Sequence, residues 1–372
     1  MSLSSARTTP RPRVLSGMRP TGRLHLGNYM GALHNWVNLQ QDYDCYFFIA
    51  DLHALTTDYA DTKLLKQNTL DVALDFLAAG LDPGRCVIFK QSDVMQHAQL
   101  NLLLGNLTPL GWLERVPTYK DQQEQLREKD LATYGFLGYP LLQSADILLY
   151  KPDFVPVGAD QVAHVELTRE VARRFNFLYG TSGSHSVISG ESLAMSMVTW
   201  GGVGAVPPPE DLGKTNVILP EPKVLLTPSP KLPGLDGRKM SKSYNNTIML
   251  SDSEADIRAK LKTMVTDPAR IRRTDPGNPD VCPVFDLHKV FSSEETQLKA
   301  AHGCRTASIG CIECKSWVAD AIITTIAPMQ AHRRDLETRP QVILDVLENG
   351  KARAIKRAQE TLDEVQHAMG LA

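Results

Sequence analysis

The chain has 372 residues, 42% of them apolar and 22% charged, with a formal net charge of −2. That length implies two domains rather than one core, in an ordinary globular composition. No apolar run reaches bilayer length, so a membrane-spanning role is excluded, and the charge excludes a uniformly cationic nucleic-acid coat while allowing a local basic face.

The opening residues MSLSSARTTPRP lack the apolar stretch of a secretory signal. The first acidic residue is Asp42, which raises an organelle presequence, but only about a dozen residues precede the first strand, short for such a segment. Residues 1–13 therefore read as a polar tail, and the expected location is the cytoplasm.

RVLSGM is a short apolar strand, after which LGNYMGALHNWVNLQQ places Leu26, Met30, Leu33 and Val37 on one helical face. CYFFIADLHAL reads as a second strand, 62–79 as a helix stopped by Gly80 and Pro83, and CVIFKQSD as a third strand. Continuous apolar strands separated by helices predict a parallel sheet covered on both faces, an α/β doubly wound, Rossmann-like domain over 14–235. Residues 181–216, rich in Gly, Ser and Pro, read as a flexible insertion. From about 251 to 372 the pattern is helical, with Ala354, Ala358, Leu362, Val365 and Met369 on one face of the last helix, so an all-α domain follows.

Two motifs carry the chemistry. In SGMRPTGRLHLGNYMG a strand ends, a Gly/Pro loop follows, and a helix opens near Gly27 and Asn28. Carboxyl ends of parallel strands and adjoining helix N-termini form ligand crevices suited to phosphate. Gly27 admits a nucleotide closely, and His25 and Asn28 are candidate donors to its oxygens; a tight turn with a surface histidine would explain the same residues. The second motif is GRKMSKS, within a loop at 236–250. Lys239 and Lys242, three residues apart, suit a triphosphate and the charge that develops as pyrophosphate leaves, although a plain basic loop is the usual origin of a lysine pair.

HLGN near the start and KMSKS about two hundred residues later resemble the paired signatures of class I aminoacyl-tRNA synthetases. With IADLHALTT, YPLLQSADILLY and VPVGADQVAHVELTRE, the chain looks like the tryptophanyl-tRNA synthetases from about residue 14 to its end. The resemblance implies ATP-dependent activation of L-tryptophan to the adenylate, release of pyrophosphate, and transfer to tRNA(Trp), with Mg2+ on the ATP phosphates. It implies an ATP site at Arg19, Pro20, Thr21, Gly27, Asn28, Gly158, Ala159 and Asp160, completed by Lys239, Met240, Ser241, Lys242 and Ser243. His25, Asn28, Lys239 and Lys242 are its catalytic candidates. Asp146 would accept the indole N–H, with Tyr139, Gln143, His53 and Gln161 around it; a helix-capping carboxylate is the plainer explanation of Asp146. The all-α domain would bind the anticodon, and a homodimer would form around 115–170.

Three positions depart from the family pattern. Asn28 stands where a second signature histidine is usual, Arg19 where bacterial members commonly have glutamine, and Ala159 where an acid is common. The 181–216 insertion also exceeds the compact pattern. Tyrosyl-tRNA synthetases share a similar LLQ-x-AD stretch, but IADLHALTT and ELTRE favour tryptophan. A non-catalytic paralogue that binds amino acid or RNA would not need the KMSKS loop.

Cys45 and Cys86 sit inside strand-like runs and read as buried hydrophobes. Cys282, Cys304, Cys311 and Cys314 follow the spacing C-x21-C-x6-C-x2-C. Four thiols so close suggest a metal centre, with zinc, an iron–sulfur cluster and free thiols all open; the single close pair is unlike zinc knuckles. A similar set accompanies a [4Fe–4S] cluster in the subgroup of tryptophanyl-tRNA synthetases that SGMRPTG also resembles. Arg258, Lys260, Lys262, Arg270, Arg272 and Arg273 flank this region and, as a group, suit RNA phosphates.

Overall fold

The computed structural model describes residues 11–117, 131–180, 216–226 and 232–372. The expected tail and insertion lie almost wholly outside the described residues, as does part of the expected dimer segment.

Five parallel strands form one sheet: β1 Arg13–Met18, β2 Asp44–Ile49, β3 Cys86–Lys90, β4 Phe154–Val157 and β5 Lys223–Leu226, in spatial order β3-β2-β1-β4-β5. The order reverses beside β1, and the gap between the carboxyl ends of β1 and β4 is where such sheets bind ligands. Trp36, stacked on Phe47 with ring centroids 4.8 Å apart, fills the core on one face. Phe48, Phe89 and Tyr150 fill the other.

The helix after β1, here α1, runs as α-helix Leu26–Asn28, a π-turn Tyr29–Leu33 and α-helix His34–Leu39. Then come α2 Asp51–Asp58, α3 Leu65–Ala78, α4 Gln96–Gly105, α5 Leu110–Glu114, α6 Tyr134–Tyr150 and α7 Val162–Tyr179. The second expected strand is shorter than its apolar run. It ends at Ile49, and DLHAL opens α2 because Asp51 supplies an acid to the first helical turn.

The C-terminal part is helical: α8 Glu254–Thr263, α9 Pro283–Phe291, α10 Glu294–Arg305, α11 Cys311–Glu337 and α12 Pro340–Ala368. Two contacts tie it to the sheet. Arg333 of α11 pairs with the buried Asp75 of α3, whose other oxygen accepts the Leu24 amide at 2.9 Å. Gly350 of α12 lies against edge strand β3 so closely that a Cβ there would collide with the Ile88 carbonyl oxygen. The last helix thus covers a strand edge, and only glycine allows that approach.

Candidate active site

HLGN is a helix-capping device before it is anything else. His25 is the N-cap of α1: its Nδ1 accepts the Asn28 amide at 3.3 Å, while Asn28 Oδ1 accepts the His25 amide at 3.2 Å. This reciprocal box fixes the imidazole tautomer and leaves Nε2–H as the outward donor. Burial, reinforced by Lys242 and Lys239, lowers the His25 pKa to about 4, so it serves as a neutral donor. Gly27 is required by this geometry, since a Cβ there would meet the His25 ring at 2.9 Å.

The KMSKS loop closes on this segment. Leu26 donates to the Ile248 carbonyl at 3.0 Å and Leu250 to that of Leu24 at 2.9 Å. Lys242 Nζ donates to the carbonyls of Thr21 (3.1 Å) and Gly22 (2.9 Å). Burial, partly offset by Asp75, lowers its pKa to about 8, so it is mostly protonated at neutral pH. Lys239 and Ser243 are exposed, Met240 is buried, and Ser241 donates its amide to Asn246 Oδ1 at 2.8 Å. Asn246 was not legible from the motif, yet its amide also reaches Asp236 (2.7 Å) and the Lys239 carbonyl (3.2 Å). It pins the loop from inside.

Next to this crevice lies a cavity of about 380 Å3 between β1, β4 and α6, a size suited to a small substrate. Arg19, His53, Tyr139, Gln143, Asp146, Gly158 and Gln161 all line it. Arg19 donates to Thr57 Oγ1 at 3.3 Å. Pro20 is buried and Thr21 exposed beside it, and Ala159 and Asp160 sit in the 3-10 turn Ala159–Gln161. Tyr139 O–H contacts His164 Nε2 at 3.3 Å, and His164 Nδ1–H donates to Gln161 Oε1 at 2.7 Å. Asn35 also lines the cavity, and its buried Nδ2 has no hydrogen-bond partner among the described residues, so it is a donor suited to a substrate acceptor.

Asp146 is 1% exposed. Its Oδ1 receives Gln91 Nε2 at 2.8 Å and His97 Nδ1 at 2.7 Å; its Oδ2 receives Gln91 at 2.9 Å and His53 Nε2 at 2.9 Å. Burial pushes the carboxyl pKa up, but His97 and the hydrogen bonds from both histidines outweigh it and hold the value below the usual range. Asp146 caps no helix; it lies well inside α6. Gln91 and His97 carried no sequence signal, because neither belongs to a local motif.

The four late cysteines come from separate elements: Cys282 precedes α9, Cys304 lies in α10, and Cys311 and Cys314 open α11. They stand within electrostatic range of one another. Burial first, then Cys282, Cys304 and Cys311, push the Cys314 thiol up to about 12. The donor chemistry suits a thiolate centre, but among the described residues no three His, Cys, Asp or Glu side chains meet as a metal-ligand set.

The family described as tRNA synthetases class I (W and Y) matches residues 7–327. With its crevice at the point where strand order reverses and its lysine loop closed over the capped helix, the molecule is a class I aminoacyl-tRNA synthetase. The tryptophan–tRNA ligase of Ralstonia nicotianae is 49% identical, over 96% of this chain and 98% of the relative. That of Thermotoga maritima is 46% identical, over 96% and 99%. The tryptophanyl-tRNA synthetase of Campylobacter jejuni, solved with ADP and tryptophan, superposes with a TM-score of 0.78 at 31% identity, covering 96% of this chain and all (100%) of that one. The chain belongs to the tryptophan–tRNA ligase family.

Proposed function

We propose that the chain activates L-tryptophan with ATP and passes it to tRNA(Trp). The observation that carries this reading is the junction of the two halves of the site: Lys242 closed on Thr21 and Gly22, beside a cavity floored by an ionised, buried Asp146. ATP, bound as its Mg2+ complex, would lie along the capped start of α1. The His25 Nε2–H donor, Lys239 and Lys242 would meet its phosphates, displacing the lysine's contacts with the loop carbonyls. The tryptophan indole N–H would donate to Asp146, and its carboxylate would attack the α-phosphorus, with pyrophosphate leaving towards the KMSKS loop. The protein forms no covalent bond in this scheme. Its contribution is positioning and stabilisation of charge as pyrophosphate departs. A donor demanded by a buried acceptor is a steep discriminator, because a rival lacking it strands the acceptor.

The helical part from 251 onward is read as the anticodon-binding domain and the chain as a cytoplasmic homodimer. Support for the dimer comes from Met95 at the cap of α4, Leu102 on α4, Leu110 on α5 and Tyr134 at the start of α6, all large and exposed. Among the described residues no helix is long and apolar enough to cross a membrane. Cys282, Cys304, Cys311 and Cys314 would hold a [4Fe–4S] cluster, which would supply a structural cross-link. Iron and acid-labile sulfide in anaerobically purified protein, lost in Cys314→Ser, test it; absence of both from the wild type refutes it.

The activity itself is tested by ATP–pyrophosphate exchange with tryptophan and with tyrosine, on the wild type and Asp146→Ala. Exchange with tryptophan alone, lost in the variant, is expected. Exchange with tyrosine reassigns the substrate, and none with either leaves a binding protein without charging activity.

A further inference from the structure

Three side chains donate to Asp146, but only His53 shares the cavity wall with it; Gln91 and His97 approach from behind. Among the described residues no Lys or Arg pairs with this carboxylate, so one amide and two imidazoles do the work a guanidinium or ammonium usually does. His97 is completely buried (0% exposed). Its ring is held by aromatic neighbours, with Phe48 at 5.9 Å and Phe89 at 6.1 Å between centroids. On its far side Nε2 lies 2.9 Å from the Tyr150 hydroxyl, which is itself fully buried. Tyr150 stands four residues beyond Asp146 on α6, so one helical face carries both ends of a closed chain from tyrosine hydroxyl through imidazole to carboxylate.

The direction of the hydrogen bonds follows from the chemistry of the ends. An ionised carboxylate can only accept, so the His97 proton belongs on Nδ1. With the single ring proton placed there, Nε2 is left to accept from the Tyr150 hydroxyl 2.9 Å away. Burial, with Asp146 and Tyr46 adding to it, raises the Tyr150 pKa well above its ordinary value, so the hydroxyl keeps the proton it donates. Without that hydroxyl, Nε2 would be an orphaned acceptor in an apolar wall. The ring would keep its bond to Asp146 but lose the second hydrogen bond that fixes its rotation, and the carboxylate would lose a rigidly held donor.

We infer that Tyr150 and His97 form a fixed donor chain that orients the Asp146 carboxylate and so sets the selectivity for tryptophan. Both are positioning residues, since neither faces the cavity. The inference rests on the reading of Asp146 as the indole acceptor.

The test is steady-state exchange by the full chain, with KM and kcat measured for tryptophan and for ATP. Tyr150→Phe removes one oxygen and is expected to raise the tryptophan KM about 10-fold, the effect of losing one buried hydrogen bond. His97→Leu should raise it on the order of 100-fold. His97→Asn, whose amide nitrogen takes the place of Nδ1, should recover most of that, and the ATP KM should stay within about twofold throughout. An unchanged tryptophan KM in Tyr150→Phe overturns the inference even if His97→Leu fails to fold, and so does a His97→Asn no better than His97→Leu. Wild-type exchange with tyrosine instead would sink the substrate reading alone. The ratio of variant to wild type would still judge the donor chain, on whichever amino acid is used.

Discussion

Asp146 and Lys242 are the two charged groups on which the site turns, and the fold holds them in opposite ways. Asp146 is sealed inside α6 with every contact made by a side chain from another element: His53, Gln91 and His97. Lys242 sits on a loop at the mouth of the crevice and touches the backbone oxygens of Thr21 and Gly22. The first arrangement cannot relax without breaking buried hydrogen bonds; the second could exchange carbonyl partners for phosphate oxygens at little cost. On the proposed function, recognition of the amino acid would thus be built into the core. The phosphate chemistry would be built on a surface loop.

This contrast can be broken most sharply at Lys242. Lys242→Ala should lower kcat for exchange by about 10²–10³ while leaving tryptophan KM within about threefold. A parallel rise in tryptophan KM would show that the two halves are not separable. The next largest effect is on stability. Arg333→Ala strands the buried Asp75 carboxylate, which also holds the Leu24 amide. It should cost about 3–5 kcal/mol in denaturant unfolding. A smaller loss is expected for Asn246→Ala, about 1–3 kcal/mol. It should appear as faster amide exchange across 236–246 with tryptophan affinity unchanged.

The smallest effect is in the pH profile. With His25 neutral down to about 4 and Lys242 charged up to about 8, kcat should be flat between those values and fall as pH rises through about 8. An inflection near 6.5, the ordinary value for histidine, would contradict the buried, neutral His25. The folded pKa of His25 lies below its unfolded value, so on acidification the unfolded chain takes up the proton first. Stability should fall between about 6.5 and about 4, and His25→Asn should flatten that slope.

What could be read from the sequence divides along the same line. HLGN and KMSKS are contiguous, and although each alone fits a plain turn or a plain basic loop, their pairing resembled the class I signatures; β1, β2 and β3 announced themselves as apolar runs. β4 and β5 did not, since FVPV and KVLL are four residues each and contain Pro and Lys. The pocket residues Tyr139, Gln143 and Gln161 were expected on resemblance alone, and the structure brings them to one cavity. Gln91, His97, Tyr150 and Asn246 stayed invisible because a hydrogen-bond network closed in three dimensions leaves no local pattern. The four cysteines are the reverse case. Their spacing is conspicuous, yet the thiols come together only loosely.

The most direct test of the central claim is the equilibrium affinity for tryptophan, without ATP, of Asp146→Asn against the wild type. The substitution keeps the shape of the side chain but replaces one acceptor oxygen with a donor. A loss of on the order of 100-fold, with ATP affinity unchanged, is the expected result, since an incoming indole N–H would face another donor. Unchanged tryptophan affinity would contradict the account, because the buried carboxylate would then have no part in choosing the amino acid.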